Sequence, residues 1–277
     1  MNRAAVLAVV LAGCVAAAGP VDRVPNVAYA ADNLDAHRLD LYLPRDRAGA
    51  PIVVFVHGGA FLQGDRRDYA VVGEQLARQG LATAVVSYRL FPQADADGAT
   101  ADVATAVAWV VRHASDYGLS AKNVFLAGHS AGGQIVALLG VDTAYLERAG
   151  TSTDALRGVV AVAGAYDVRD LSDESEQFQK IDAHIYGATP ELRGAVSPSL
   201  YVRAGAPPTI AVCGTEDDPE ACERATVYVH RFVAAGGSAY VIRVVGASHM
   251  GTLRSLIDSN DPLNAAFHDF ITAHSVP

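Results

Sequence analysis

Positive charge is scarce in this chain: 21 Lys and Arg stand against 30 Asp and Glu, a formal net charge of −9. An acidic surface argues against nucleic acid and anionic membrane as general partners. Cysteine is scarcer still, with Cys14, Cys213 and Cys222 as the only three. So few exclude a disulfide-dense scaffold. Long apolar runs are missing too. The longest near the N-terminus, residues 4–12, falls short of the ~20 residues that span a bilayer. No repeat or low-complexity linker interrupts the chain after about residue 20. The histidines lack paired ligand spacing, so no metal set is expected. What remains is 51% hydrophobic and 18% charged over 277 residues, enough for one large core. One domain, residues 21–277, is expected.

The first 20 residues read as an address. A short cationic start (Met1-Asn2-Arg3) precedes the apolar run, as in a secretory signal. Leu11-Ala12-Gly13-Cys14 resembles the bacterial lipobox, which would make Cys14 a lipidated first residue of the mature chain and attach it to a membrane. Signal cleavage among residues 16–19 is the alternative, and an uncleaved apolar tail a third. The first two both imply export, to a periplasmic or lipid-anchored surface location or into the medium. In an exported chain, Cys213 and Cys222 can form a disulfide that pins the loop carrying Asp217; buried free thiols are the other reading.

Beyond residue 20, strand-like runs alternate with helical patterns. Residues 51–56 (PIVVFV), 82–88, 123–127, 158–163, 209–212 and 240–245 are short, apolar and mostly β-branched. Continuous apolar strands suit a sheet covered on both faces. Residues 39–43 (LDLYL) alternate, which suits an antiparallel edge strand. Helical stripes are expected over residues 68–79, 101–115, 131–139, 220–235 and 264–274. Such alternation predicts an α/β fold with a doubly wound, mostly parallel sheet. Residues 166–208 break the rhythm: they are polar, proline-marked and too long for a structureless loop. A small helical lid insertion over the strand ends is expected there.

Residues 123–133 (NVFLAGHSAGG) carry the strongest chemical signal. They read as strand, G-x-S-x-G, helix, the context that gives the motif meaning. A sharp strand-to-helix turn strains the backbone at Ser130, and Gly128 and Gly132 relieve the crowding around it. Ser130 is thus the candidate nucleophile. A serine needs a base and a group to orient that base. Residues 209–217 are a strand ending in Gly-x-x-Asp, and residues 244–249 a strand ending in Gly-x-x-His. Ligands of open α/β sheets bind beyond such strand ends. His249 is therefore assigned as general base and acid, with Asp217 as orienter and Asp218 as the alternate. Upstream, His57-Gly58-Gly59-Ala60-Phe61 follows a strand. Glycines there let backbone N–H groups approach a developing oxyanion. The segment resembles the HGGG-type loop of lipases and esterases, which implies Gly59, Ala60 and Ala131 as the donors, and His57 is read as holding the loop.

These segments, HGGAF, SYRLFP (residues 87–92), GHSAGG, GTED and SHMG, together resemble the bacterial esterase/lipase branch of the α/β hydrolases. That branch holds carboxylesterases, hormone-sensitive-lipase-like enzymes, arylformamidases and prenylcysteine methylesterases. The resemblance covers roughly residues 25–275 and implies the α/β-hydrolase type of sheet. The short stretch before Leu39 places the chain nearer the compact, capless esterases. Acyl transfer through an acyl-enzyme is implied, with no cofactor. Phe61, Leu90, Tyr166 and Tyr186 are candidate pocket residues, with Leu62 and Phe91 beside them. A small or medium acyl ester is the expected substrate, and acetyl or feruloyl groups on a polysaccharide would suit an exported enzyme. Formamide or amide hydrolysis by the same residues, and a non-catalytic binding lipoprotein, are the competing readings.

Overall fold

The computed structural model describes residues 20–170 and 176–277. Cys14 and the rest of the N-terminal segment lie outside them. Strands run over β1 (Val21–Ala28), β2 (Arg38–Pro44), β3 (Ile52–Val56), β4 (Ala82–Val86), β5 (Val124–His129), β6 (Leu156–Val162), β7 (Thr209–Gly214) and β8 (Ala239–Val244). They form one sheet in the order β1-β2-β4-β3-β5-β6-β7-β8. From β4 to β8 all pairing is parallel, while β1–β2 and β2–β4 are antiparallel.

Helices cover both faces: α1 (Ala70–Arg78), α2 (Ala96–His113), α3 (Ala131–Val141), α4 (Thr143–Arg148), α5 (Glu176–Tyr186), α6 (Pro190–Gly194), α7 (Ala221–Ala234), α8 (His249–Ile257) and α9 (Pro262–His274). Successive strand side chains point to opposite faces, so each central strand feeds two cores. Ile52, Val54 and Val56 join Leu126, Ala161 and Ala211 under α2, α3 and α7. Val53 and Phe55 join Phe125, Val160 and Ile210 under α1, α8 and α9. The apolar side chains on both faces explain why these strands read as unbroken hydrophobic runs.

The expected edge strand at residues 39–43 is corrected in one respect. β2 is antiparallel but internal, and β1 forms the edge. Two local features hid β1. Its valines are spaced by three, and the register shifts between Val24 and Val27 around Asn26 at φ 61°. A bulge of this kind erases the period-two signal. The polar member of the β2 alternation is not solvated either. Asp40 is 1% exposed and accepts from Arg66 Nε at 3.1 Å and from Arg23 Nη2 at 2.6 Å.

Residues 166–208 contain α5, α6 and a 3-10 turn at Pro198–Leu200. Residues 171–175 of that stretch are outside the described ones. Three loops meet at the carboxyl ends of the central strands: the β3 loop, the β5–α3 turn and the β7–α7 loop. The turn from β8 into α8 joins them there.

Candidate active site

Ser130 occupies the turn between β5 and α3 with φ 58° and ψ −121°. A non-glycine residue there costs ~1–3 kcal/mol, so the surroundings must impose it. They do so on both sides. A Cβ on Gly128 would sit 2.3 Å from the Gly132 carbonyl oxygen, and one on Gly132 would sit 2.1 Å from the Val56 carbonyl oxygen. The Ser130 N–H donates to the Val162 carbonyl at 2.8 Å, extending the β5–β6 ladder into the turn. Ser130 therefore stands at the N-terminus of α3, where free N–H groups and the positive dipole end collect.

The β3 loop arrives beside it. Gly59, Ala60 and Phe61 all have positive φ, at 126°, 53° and 60°. The Gly59 carbonyl accepts from Leu62 and Gln63 N–H, closing a tight turn. His57 braces the loop from beneath. Its Nδ1–H donates to the Gly58 carbonyl at 2.8 Å, and its ring stacks on Tyr88 at 4.3 Å. Tyr88 in turn donates its hydroxyl to the His57 carbonyl at 2.9 Å. Burial keeps His57 below the ordinary imidazole range, so it is neutral at physiological pH. No hydrogen bond among the described residues uses the N–H of Ala60 or Ala131.

His249 is the first residue of α8, capped by Ser248, whose hydroxyl oxygen accepts from the Gly251 N–H. Its Nδ1 lies 2.8 Å from Asp217 Oδ2. The other Asp217 oxygen accepts from the Asp218 N–H at 2.8 Å. Asp218 is occupied elsewhere: it accepts from the Glu220 N–H and pairs with Arg224 at 2.9 Å. Those partners, the Glu220 N–H first, hold its carboxyl below the usual range. Asp217, not Asp218, is thus the carboxylate that meets His249. A disulfide between Cys213 and Cys222, Cα atoms 5.2 Å apart, ties the ends of the loop carrying Asp217.

Ser130, Asp217 and His249 border one cleft of about 250 Å³, together with Ala60, Ala131 and Gln134. Tyr166 and Tyr186 also border it, whereas Gly59 does not. Two expected pocket residues are elsewhere. Phe61 is 1% exposed and packs edge-on against Tyr88 and Tyr186 in the core. Positive φ at Phe61 turns that side chain inward, which sequence pattern does not reveal. Leu90 borders a separate groove with Leu34, Tyr88 and Arg89. Arg89 and its ion pair to Asp102 at 2.7 Å anchor that segment away from the cleft.

One residue was missed in the sequence. His129, inside the G-x-S-x-G motif, is 1% exposed and its Nε2 lies 3.0 Å from the His249 carbonyl oxygen. Burial lowers it to about 4. Nothing but its place beside Ser130 could have marked it. Among the described residues, no group of three or more His, Cys, Asp or Glu is placed to hold a metal ion, and no helix is long and apolar enough to cross a membrane.

A doubly wound sheet with a strained serine at the turn after its central strand, and an Asp–His pair beyond two later strands, is the architecture of an α/β hydrolase. The chain belongs to the BD-FAE family, whose model matches residues 39–230. It is 32% identical over 237 residues to Esterase LipC of Mycobacterium tuberculosis, covering 77% of this chain and 57% of that protein. It is 27% identical over 235 residues to the isoprenylcysteine alpha-carbonyl methylesterase ICME of Arabidopsis thaliana, covering 77% of this chain and 53% of that one. The chain thus spans about half the length of these curated relatives. In fold it resembles a truncated carbohydrate esterase from gut microbiota, with a TM-score of 0.80, 22% identity and coverage of 92% and 96% of the two chains. Esterase B of Lactobacillus rhamnosis gives 0.78 at 22% identity, with 93% and 89% covered.

Proposed function

We propose that this protein is a serine carboxylic-ester hydrolase for small to medium acyl esters, acting through an acyl-enzyme on Ser130. The observation that carries this reading is the single cleft bordered by Ser130, His249 and Asp217, with Ala60 and Ala131 on its wall. Ser130 Oγ attacks the ester carbonyl carbon while His249 Nε2 takes its proton. Asp217 holds Nδ1–H and stabilises the imidazolium that forms. Negative charge on the carbonyl oxygen is met by the N–H groups of Ala60 and Ala131, with Gly59 contributing to the same loop, and each such donor is worth ~3–4 kcal/mol. The tetrahedral adduct collapses, and His249 delivers its proton to the departing alcohol. Water then repeats the sequence on the acyl-enzyme and releases the acid.

Size supports short acyl groups. The cleft of about 250 Å³ lies just below the roughly 300–1,000 Å³ typical of pockets for drug-sized ligands. Tyr166 and Tyr186 give it aromatic walls, while Asp218 and Arg224 make its rim polar. The similarity to esterases of two kinds of organism supports an ester over a formamide. Export, with a lipid on Cys14 or with cleavage further along, belongs to the same proposal and rests on the first 20 residues alone. The test is hydrolysis of p-nitrophenyl acetate and butyrate by the protein and by Ser130→Ala. Turnover that disappears in the variant supports the reading. Equal turnover in both would remove Ser130 from the mechanism.

A further inference from the structure

His129 has no part in the acyl-transfer chemistry, yet it is buried between the loops that supply that chemistry. It is the last residue of β5, paired with Val162 of β6, and directly precedes Ser130. On one side it meets the β3 loop. A side chain at Gly58 would come within 2.8 Å of the His129 carbonyl oxygen, 2.9 Å of Ser130 Cβ and 3.2 Å of His129 Nδ1. On the other side it meets His249, ring centroids 4.8 Å apart at 55°.

The hydrogen bond fixes the chemical form of the ring. A carbonyl oxygen only accepts, so Nε2 must carry the proton when it faces the His249 carbonyl at 3.0 Å. The neutral ring then leaves Nδ1 bare. The same carbonyl accepts a second bond, from Thr252 Oγ1 at 2.7 Å, and Thr252 is fully buried. His249 itself is a poorly anchored side chain: it is 42% exposed, and Asp217 grips only Nδ1. A ring held at one atom can swing about Cα unless the backbone beneath it is fixed. The first turn of α8 and the two bonds to the His249 carbonyl supply that fixation, and one of those bonds comes from the nucleophile's own strand.

We propose that His129 is a positioning residue, which ties the backbone of His249 to the strand carrying Ser130 and so fixes the distance between base and nucleophile. This rests on the ester-hydrolase reading above. A neutral ring is also the form the site needs. In each half-reaction His249 becomes a cation beside it, and a charged His129 would oppose that step. Burial resists such charging.

Two amide variants separate positioning from packing. In His129→Gln the amide nitrogen reaches the place of Nε2 and can still donate to the His249 carbonyl. In His129→Asn the side chain is one carbon shorter and the nitrogen stops near the place of Nδ1. Kinetics on p-nitrophenyl butyrate, with circular dichroism to check folding, are compared with the wild type and Ser130→Ala. A displacement near 1 Å costs about a hundredfold in rate, so kcat of His129→Asn is expected to fall by about that factor with KM little changed. His129→Gln should recover most of it. Wild-type kcat in folded His129→Asn, or an equal fall in both variants, would overturn the proposal. If His129→Asn does not fold, His129→Leu decides. It fills much of the same buried space without a donor to the His249 carbonyl, and kcat should fall about a hundredfold with KM little changed; an unchanged kcat overturns the proposal. Activity persisting in Ser130→Ala would instead strike the hydrolase reading itself, so the two failures are distinguishable.

Discussion

Gly132→Ala tests the geometry of the nucleophile turn with one methyl group. The added Cβ would lie 2.1 Å from the Val56 carbonyl oxygen and 2.6 Å from both the Val56 carbonyl carbon and the His57 carbonyl oxygen. All three are backbone atoms, so no rotamer change relieves the contact. Restoring ordinary contact, where carbon-type atoms sit about 3.5–4.0 Å apart, requires the start of α3 and the end of β3 to separate by more than 1 Å or so. Stability should register this weakly. Overpacking costs about 1–3 kcal/mol, and the alanine returns up to about 1 kcal/mol of helix propensity. A net loss near 1–2 kcal/mol lowers the Tm of a chain this size by a few degrees, at about 2–4 °C per kcal/mol. Activity should register it strongly. α3 carries Ser130 and the Ala131 N–H, whereas β3 leads into Ala60. The same displacement parts the two oxyanion donors, and a misplacement of about 1 Å costs roughly a hundredfold. The expected result is a kcat on p-nitrophenyl acetate about two orders of magnitude down in a protein that still melts cooperatively. Gly140→Ala is the internal control. It lies in the same helix, but its Cβ would meet the Val159 side chain at 2.9 Å, away from the cleft. Its kcat should match the wild type. If Gly132→Ala keeps wild-type kcat, the close approach of α3 to β3 is not what aligns the site.

Two further outcomes follow from the carboxylates and the buried histidines. Asp217→Asn should lower kcat/KM by about a thousandfold or more, as expected for an orienting acid. Asp218→Asn, whose carboxylate serves Glu220 and Arg224, should stay near wild type in the same steady-state assay, and a reversed ranking would overturn the assignment. Stability should also fall in acid. His129 titrates at about 4 in the folded chain against 6.5 ordinarily. Below pH 6.5 the unfolded chain therefore binds a proton that the native chain refuses. From pH 6.5 down to about 4 this removes up to about 3 kcal/mol of stability, with no further loss from this group below that range. His57, lowered by burial, acts in the same direction. Urea unfolding at pH 7.5 and 4.5 checks this, and the share due to His129 should vanish in His129→Gln. An identical acid dependence in that variant would place the proton elsewhere.

Much of this protein is written locally. The runs 51–56, 123–127 and 158–163 read as buried strands because both of their faces are apolar, and both faces are covered by helices. The turn at Ser130 is equally legible, since the glycines at 128 and 132 mark it in the chain, although the atoms that crowd Gly132 belong to Val56 and His57 at the end of the neighbouring strand. Asp217 and His249 were readable because each follows its strand by a short Gly-x-x spacing. Only the folded chain could decide the rest. Phe61 and Leu90 carry the hydrophobicity of pocket residues, but a backbone of positive φ turns one into the core and the Arg89–Asp102 pair draws the other to a different groove. Why Asp218 is drawn away from His249 depends on the position of Arg224, one helix turn into α7. His129 and His249 are 120 positions apart, and their hydrogen bond exists because parallel strand order brings the ends of β5 and the β8–α8 turn together. Hydrophobic period and the crowding within a tight turn act between near neighbours and are visible in a sequence. Side-chain direction and partner choice depend on which distant segments the sheet order sets side by side, and those are decided only when the chain has folded.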